Sequence, residues 1–146
     1  MPFHNGTIRC ATCLAQLAAS VWLASATFTQ AQSSLDLSKA AKQFKRSCGT
    51  CHAVEPGATQ RQGPNLATVV GRTAGSLSEF QKYSDALKAA GVGGLVWTPE
   101  TLDPWIMNAG KYVPKTNMSS RQRSAEKRAL VIAYLKSLAT KQDTNQ

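Results

Sequence analysis

Apolar residues recur at helical spacing in two stretches of the chain, and helix-ending signals bracket two more. In "LDLSKAAKQFKRS" (35–47), Leu37, Ala40, Ala41 and Phe44 fall at i, i+3, i+4 and i+7, one face of a helix. In "SAEKRALVIAYLKSLA", Ser124 opens a second periodic stretch, with Leu130, Ala133, Tyr134 and Leu138 along one stripe. Between them, Ser84 and Gly91 bracket "DALKAA" as N-cap and C-cap. Thr98 followed by Pro99 and Glu100 starts another helix, running to about Asn108. No run of alternating β-branched residues extends far enough to read as a strand. The pattern predicts an all-α fold in which the first and last helices pack face to face, with Phe44 near Tyr134. Pro56, Gly57, Gly63 and Pro64 mark a long loop after the first of these helices.

The N-terminus follows a different pattern. "LAQLAASVWLASA" (14–26) is a mostly apolar run behind a short basic segment, too short for a bilayer, which needs ~20 residues. Ala24-Ser25-Ala26 and Thr29-Gln30-Ala31 supply small-x-small cleavage patterns. Residues 1–31 therefore read as a secretory signal peptide cut after Ala31 or Ala26. Residues 32–146 form one domain, with no membrane span expected in the mature chain. Seventeen Lys and Arg against eight Asp and Glu give a net charge of +9, which can steer a protein toward nucleic acid, anionic lipid or acidic protein partners and does not by itself choose among them. No arginine-rich run or zinc-finger spacing accompanies that charge, so nucleic acid is not an expected partner.

Two Cys-x-x-Cys pairs occur, but the leader removes Cys10 and Cys13 together with His4. What remains is "CGTCH": Cys48, Cys51 and His52. Three ligands fall short of a structural zinc site, which takes four. A thioredoxin-type dithiol would need a sheet that the pattern does not offer. Cys-x-x-Cys-His instead fits covalent haem attachment: one turn separates the two thiols and brings the adjacent imidazole under the iron. The second axial position has two candidates. Met107 lies in an apolar helical pattern beside Trp105 and Ile106, where packing is its natural role. Met118 lies in a loop punctuated by Gly110 and Pro114, far enough downstream to cross a flat ring.

From Leu37 to Leu138 the chain resembles the class I c-type cytochromes of the mitochondrial-like branch. The resemblance rests on "GPNLATVVGRTAG" (63–75), "YSDA" (83–86), "VWTPETL" (96–102), "KYVPKTNM" (111–118) and "LVIAYLK" (130–136), in the family's order. It implies the small cytochrome c fold, terminal helices packed around one haem c held by Cys48 and Cys51, with His52 and Met118 as iron ligands. It further implies Pro64 as acceptor of the ligating imidazole's N–H. Arg72, Tyr83 and Trp97 would hydrogen-bond a buried propionate, and Thr116 would lie near the methionine and that propionate. The implied function is single-electron transfer in a bacterial periplasm between redox proteins with acidic docking faces, by a monomer that transforms no substrate. A dedicated cytochrome subunit of a periplasmic dehydrogenase is the alternative, and a haem peroxidase or gas-binding protein a further one. Ser120, Ser47, Ala40 and the extra Gly93-Gly94 depart from the family pattern, at the haem edge, before the first cysteine, at the helix crossing and before Trp97 respectively.

Overall fold

Ala40 and Phe44 are the residues that anchor the first helix. In the computed structural model, which describes residues 36–143, helix α1 occupies 36–47 and buries both of them. Leu37, on the same predicted face, remains exposed. The helix ends by widening: the Cys48 N–H donates to the Phe44 carbonyl in the α pattern at 2.8 Å, and the Gly49 N–H, one residue further on, donates to the same carbonyl at 3.1 Å. A Cβ at Gly49 would stand 2.8 Å from the Lys45 carbonyl oxygen, so this helix end requires glycine.

Helix α2 (Asp85–Val92) begins at Ser84, whose side chain accepts from the Leu87 N–H as predicted. Its end differs from the prediction. Gly93 is the C-cap, and Gly91 lies inside the helix, buried, with its Cα against the Ala74 carbonyl. Gly91 thus serves close approach and not chain reversal, two uses that look alike in sequence. Gly94 completes the turn at φ +95°. Helix α3 (Pro99–Met107) starts with a reciprocal box between Thr98 and Thr101 and stops at Asn108. Asn108 then caps α4 (Ala109–Tyr112), a single turn leading into the methionine loop.

Helix α5 (Ala125–Asp143) closes the fold against α3 and α1. Phe44 and Tyr134 meet with ring centroids 5.3 Å apart, which is the predicted contact between first and last helices. The buried stripe of α5 is turned from the predicted one. Arg128, Val131, Ile132 and Leu135 face inward, while Leu130, Tyr134 and Leu138 are partly covered and Ala133 is exposed. The same helical period fits either stripe, and the deciding residue is an arginine that hydrophobic patterning leaves out.

Among the described residues the one β feature is an antiparallel bridge between Thr73 and Val96, flanked by Gly71 N–H to Trp97 O and Ala74 N–H to Leu95 O. The core gathers Phe44, Val54, Val69, Leu87, Trp97, Leu102, Trp105, Ile106, Val113, Val131, Ile132 and Leu135 into one cluster. No described helix is long and apolar enough to cross a membrane. The predicted leader, with Cys10, Cys13 and His4, lies outside the described residues.

Candidate functional site

The end of α1 delivers the site's first residues. After Gly49 the chain makes one more turn, with the Cys51 and His52 N–H groups donating to the Cys48 carbonyl at 3.0 and 2.9 Å. Both thiols are free and lie on successive turns of this corner. Cys48 packs on the core, and burial, reinforced by Cys51, pushes its pKa up to about 11. Before attachment its thiol is therefore held protonated at neutral pH. The Cys51 Sγ donates to Gln62 Oε1 at 3.2 Å, and Arg61 donates to the Gly49 carbonyl, so the following loop grips the corner from outside.

That loop also fixes the imidazole. Gly63 N–H donates to Cys51 O and Leu66 N–H to Ala53 O, each at 2.8 Å, laying 63–66 alongside 51–53. Between these two bonds the Pro64 carbonyl lies 2.8 Å from His52 Nδ1. A carbonyl only accepts, so Nδ1 carries the proton and Nε2 keeps its lone pair. Burial lowers the His52 pKa below its usual 6.5, opposed by the Pro64 bond and assisted by the charge of Arg72. The ring is held neutral with one free nitrogen, the form in which histidine binds a metal.

Asn65, one residue on, is a buried polar side chain without an obvious sequence signal. Its Nδ2 donates to Glu55 O at 2.8 Å, its Oδ1 accepts from Ala67 N–H at 2.8 Å, and its own N–H donates to Gln60 Oε1 at 2.6 Å. Its carbonyl takes both terminal nitrogens of Arg72, at 3.2 Å each. The Arg72 Nε is buried and has no partner among the described residues. An orphaned guanidinium N–H in a half-buried position is a donor waiting for an anion. Tyr83 stands in the field of Arg72, half-buried, with its phenol pKa raised chiefly by burial, and its ring meets Phe80 edge-on at 4.8 Å. Trp97 is buried and pairs with Trp105 at 5.1 Å.

The two methionines separate as their surroundings suggest. Met107 is 39% exposed on the surface of α3. Met118 lies partly buried against the core cluster that also takes Cys48, Tyr83 and Trp97. Its N–H donates to Thr116 Oγ1 at 3.4 Å, and Asn117 Nδ2 donates to the Lys82 carbonyl at 3.2 Å, next to Tyr83. Lys115 adopts φ +66°, a left-handed conformation at the corner of this loop. Among the described residues no group of three or more His, Cys, Asp and Glu gathers as a metal cluster.

Two unpaired thiols one turn apart, a neutral imidazole with a free nitrogen, and an unpartnered buried Arg72 N–H fit one covalent haem with its propionate. Sequence comparison reaches the same place independently. The cytochrome c family model matches residues 37–139. The chain is 44% identical over 106 residues to cytochrome c2 of Afifella marina, covering 72% of this chain and 85% of that protein. It is 41% identical over 101 residues to cytochrome c2 of Agrobacterium tumefaciens, covering 68% of this chain and 89% of that one. The solved structure of cytochrome c2 from Rhodospirillum centenum superposes with a TM-score of 0.66 at 32% identity, over 71% of this chain and 98% of that one. The chain belongs to the cytochrome c family. It carries one haem c, attached through Cys48 and Cys51, and as an electron carrier it works with redox partners.

Proposed function

We propose that this chain is an exported bacterial electron shuttle whose haem iron is held by His52 and Met118. When bound, the haem supplies a one-electron Fe(III)/Fe(II) couple, and an imidazole–thioether pair places that couple at relatively high potential. The observation that carries the reading is the contrast between the two described methionines: Met118 packs partly buried on the core cluster, while Met107 is exposed on the surface of α3. His52 acts as the basic ligand, with Pro64 fixing its tautomer. Arg72, through its unpartnered Nε, and Tyr83 and Trp97 beside it, offset the charge of a buried propionate. Thr116 steadies the Met118 backbone.

Docking follows from charge. Lys45, Arg46, Lys111, Lys115, Arg121 and Arg123 are all exposed and lie close in sequence to the haem motif or the methionine loop. Such a surface raises the association rate with acidic redox partners more than the affinity. The leader-like segment 1–31 supports work in the periplasm, with the mature chain acting there as a monomer. N-terminal sequencing of the protein recovered from a periplasmic extract checks the export step, with Gln32 or Thr27 expected as first residue.

The decisive experiment is an optical redox titration of the haem-loaded wild type and of Met118→Ala. The wild type is expected to be low-spin with a potential well above zero. The variant is expected to fall in potential and to bind carbon monoxide when reduced. An unchanged potential removes Met118 from the ligand set.

A further inference from the structure

Arg128 stands where electrostatics disfavours it. It lies in the first turn of α5, at the positive end of the helix macrodipole, where acids are preferred. It is also 7% exposed, so its charge is almost entirely withdrawn from water. Its contacts explain the position. Nε donates to Asp103 Oδ1 at 2.7 Å and Nη2 to Asp103 Oδ2 at 3.2 Å, a two-pronged pair with a carboxylate on α3. Nη1 donates to the Gln122 carbonyl at 3.1 Å and the Arg123 carbonyl at 2.9 Å.

Those two carbonyls belong to the segment that returns from Met118 to α5. Residues 119–124 form no helix or strand. Their backbone is tied by the Gln122 N–H to the Ile106 carbonyl at 3.0 Å and by the Arg128 fork. On the other side of Met118 the ties are Thr116 to the Val113 carbonyl and Asn117 to the Lys82 carbonyl. Docking of α5 has separate support, because Val131, Ile132, Leu135 and the Phe44–Tyr134 contact hold it to the core. Asp103 neutralises and orients a guanidinium that in turn holds the downstream half of the methionine loop.

We propose that Arg128 and Asp103 are positioning residues for Met118: as a pair they latch the returning segment and keep the loop closed. The proposal rests on Met118 being the iron ligand. Neither residue touches the iron, so their removal is expected to raise the frequency of loop opening while leaving the ligand set intact.

The test uses the mature, haem-loaded ferric protein and measures the rate at which free imidazole displaces the protein ligand, limited at high imidazole by loop opening. Asp103→Asn keeps the shape and removes the charge; Arg128→Lys keeps the charge and removes the fork. Each is expected to speed capture by on the order of tenfold, the change that accompanies about 1.4 kcal/mol. Amide exchange at Gln122 and Arg123 is expected to quicken in both. Val131→Ala, a core truncation on the same helix, provides the comparison: its melting temperature falls, yet its capture rate stays near wild type. Wild-type capture rates in Asp103→Asn and Arg128→Lys overturn the latch. So does a Val131→Ala rate raised equally at equal loss of stability, since the pair would then be plain scaffolding. Met118→Ala separates the two readings. Fast capture there with no latch effect overturns the latch alone, whereas capture no faster than wild type overturns the ligand assignment and the latch with it.

Discussion

Gly63→Ala is a minimal substitution for which the geometry gives a large effect at the site itself. A Cβ at this position would lie 2.6 Å from His52 Nδ1 and 2.8 Å from Nε2, and closer still to Cε1. Ordinary contacts between such atoms are about 3.5–4.0 Å, so something must retreat by roughly an ångström. Neither side is free to do so. The Gly63 N–H is tied to the Cys51 carbonyl and the ring to the Pro64 carbonyl, both at 2.8 Å. Overpacking of this kind costs ~1–3 kcal/mol, and a strained Nδ1–H bond adds about 1 kcal/mol. The sum, roughly 3 kcal/mol, lowers the melting temperature of a domain this size by roughly 10–20 °C. Thermal melts followed by far-ultraviolet circular dichroism measure it, and the visible spectrum reports whether the imidazole has shifted on its ligand side. Gly110→Ala is the reference, because its Cβ would meet only Asn108 Oδ1 at 3.9 Å. If Gly63→Ala melts as high as Gly110→Ala with an unchanged spectrum, the imidazole is not packed as described.

Two further outcomes follow. Gly91→Ala is expected to cost more than Gly94→Ala: the first drives a methyl into the Ala74 carbonyl, whose residue is tied to Leu95 at 2.9 Å, for about 3 kcal/mol, whereas the second meets open space and bears only the left-handed backbone penalty of about 1–2 kcal/mol. Urea midpoints in the reverse order would refute the packing of α2 on the bridge. Acid should also destabilise the fold of the haem-free chain through His52. Its pKa in the folded chain is lowered below 6.5, so the unfolded chain binds more protons as pH falls through that value. That contribution is complete above 6.5 and lost below it, and a melting temperature unchanged between about pH 7.5 and pH 5 would contradict it.

The helices were legible in the sequence to the extent that capping chemistry or a single apolar face defined them. Ser84, Thr98 and the Phe44–Tyr134 contact all stand where the pattern put them. The failures share one cause: a residue type with two uses. Gly91 reads as a helix stop and serves as a space for Ala74. Arg128 is a charge that apolar patterning passes over, and it is buried on the inner stripe of α5 with Val131 and Leu135. At the site, the Cys48–Cys51–His52 corner carries its chemistry in its own spacing. Arg72 does not, because an unpartnered buried Nε has no signature in a sequence. Its assignment came only through family likeness.

The loops were the least legible part for a physical reason that also bears on function. From 53 to 83 and from 113 to 124 the backbone follows no period, so apolar patterning has nothing to register. Order there comes from single polar side chains that each hold a particular carbonyl: Asn65 on Glu55, Arg61 on Gly49, Asn117 on Lys82, Arg128 on Gln122 and Arg123. A helix loses one such bond and keeps its neighbours, whereas a loop held at two or three points loses its course when one is cut. The residues proposed to face the haem, Pro64 and Met118 among them, are carried by these loops. Substitutions at the polar anchors should therefore disturb ligand geometry at a smaller loss of global stability than substitutions in the helix core. That ordering distinguishes a site held by discrete latches from one held by packing alone.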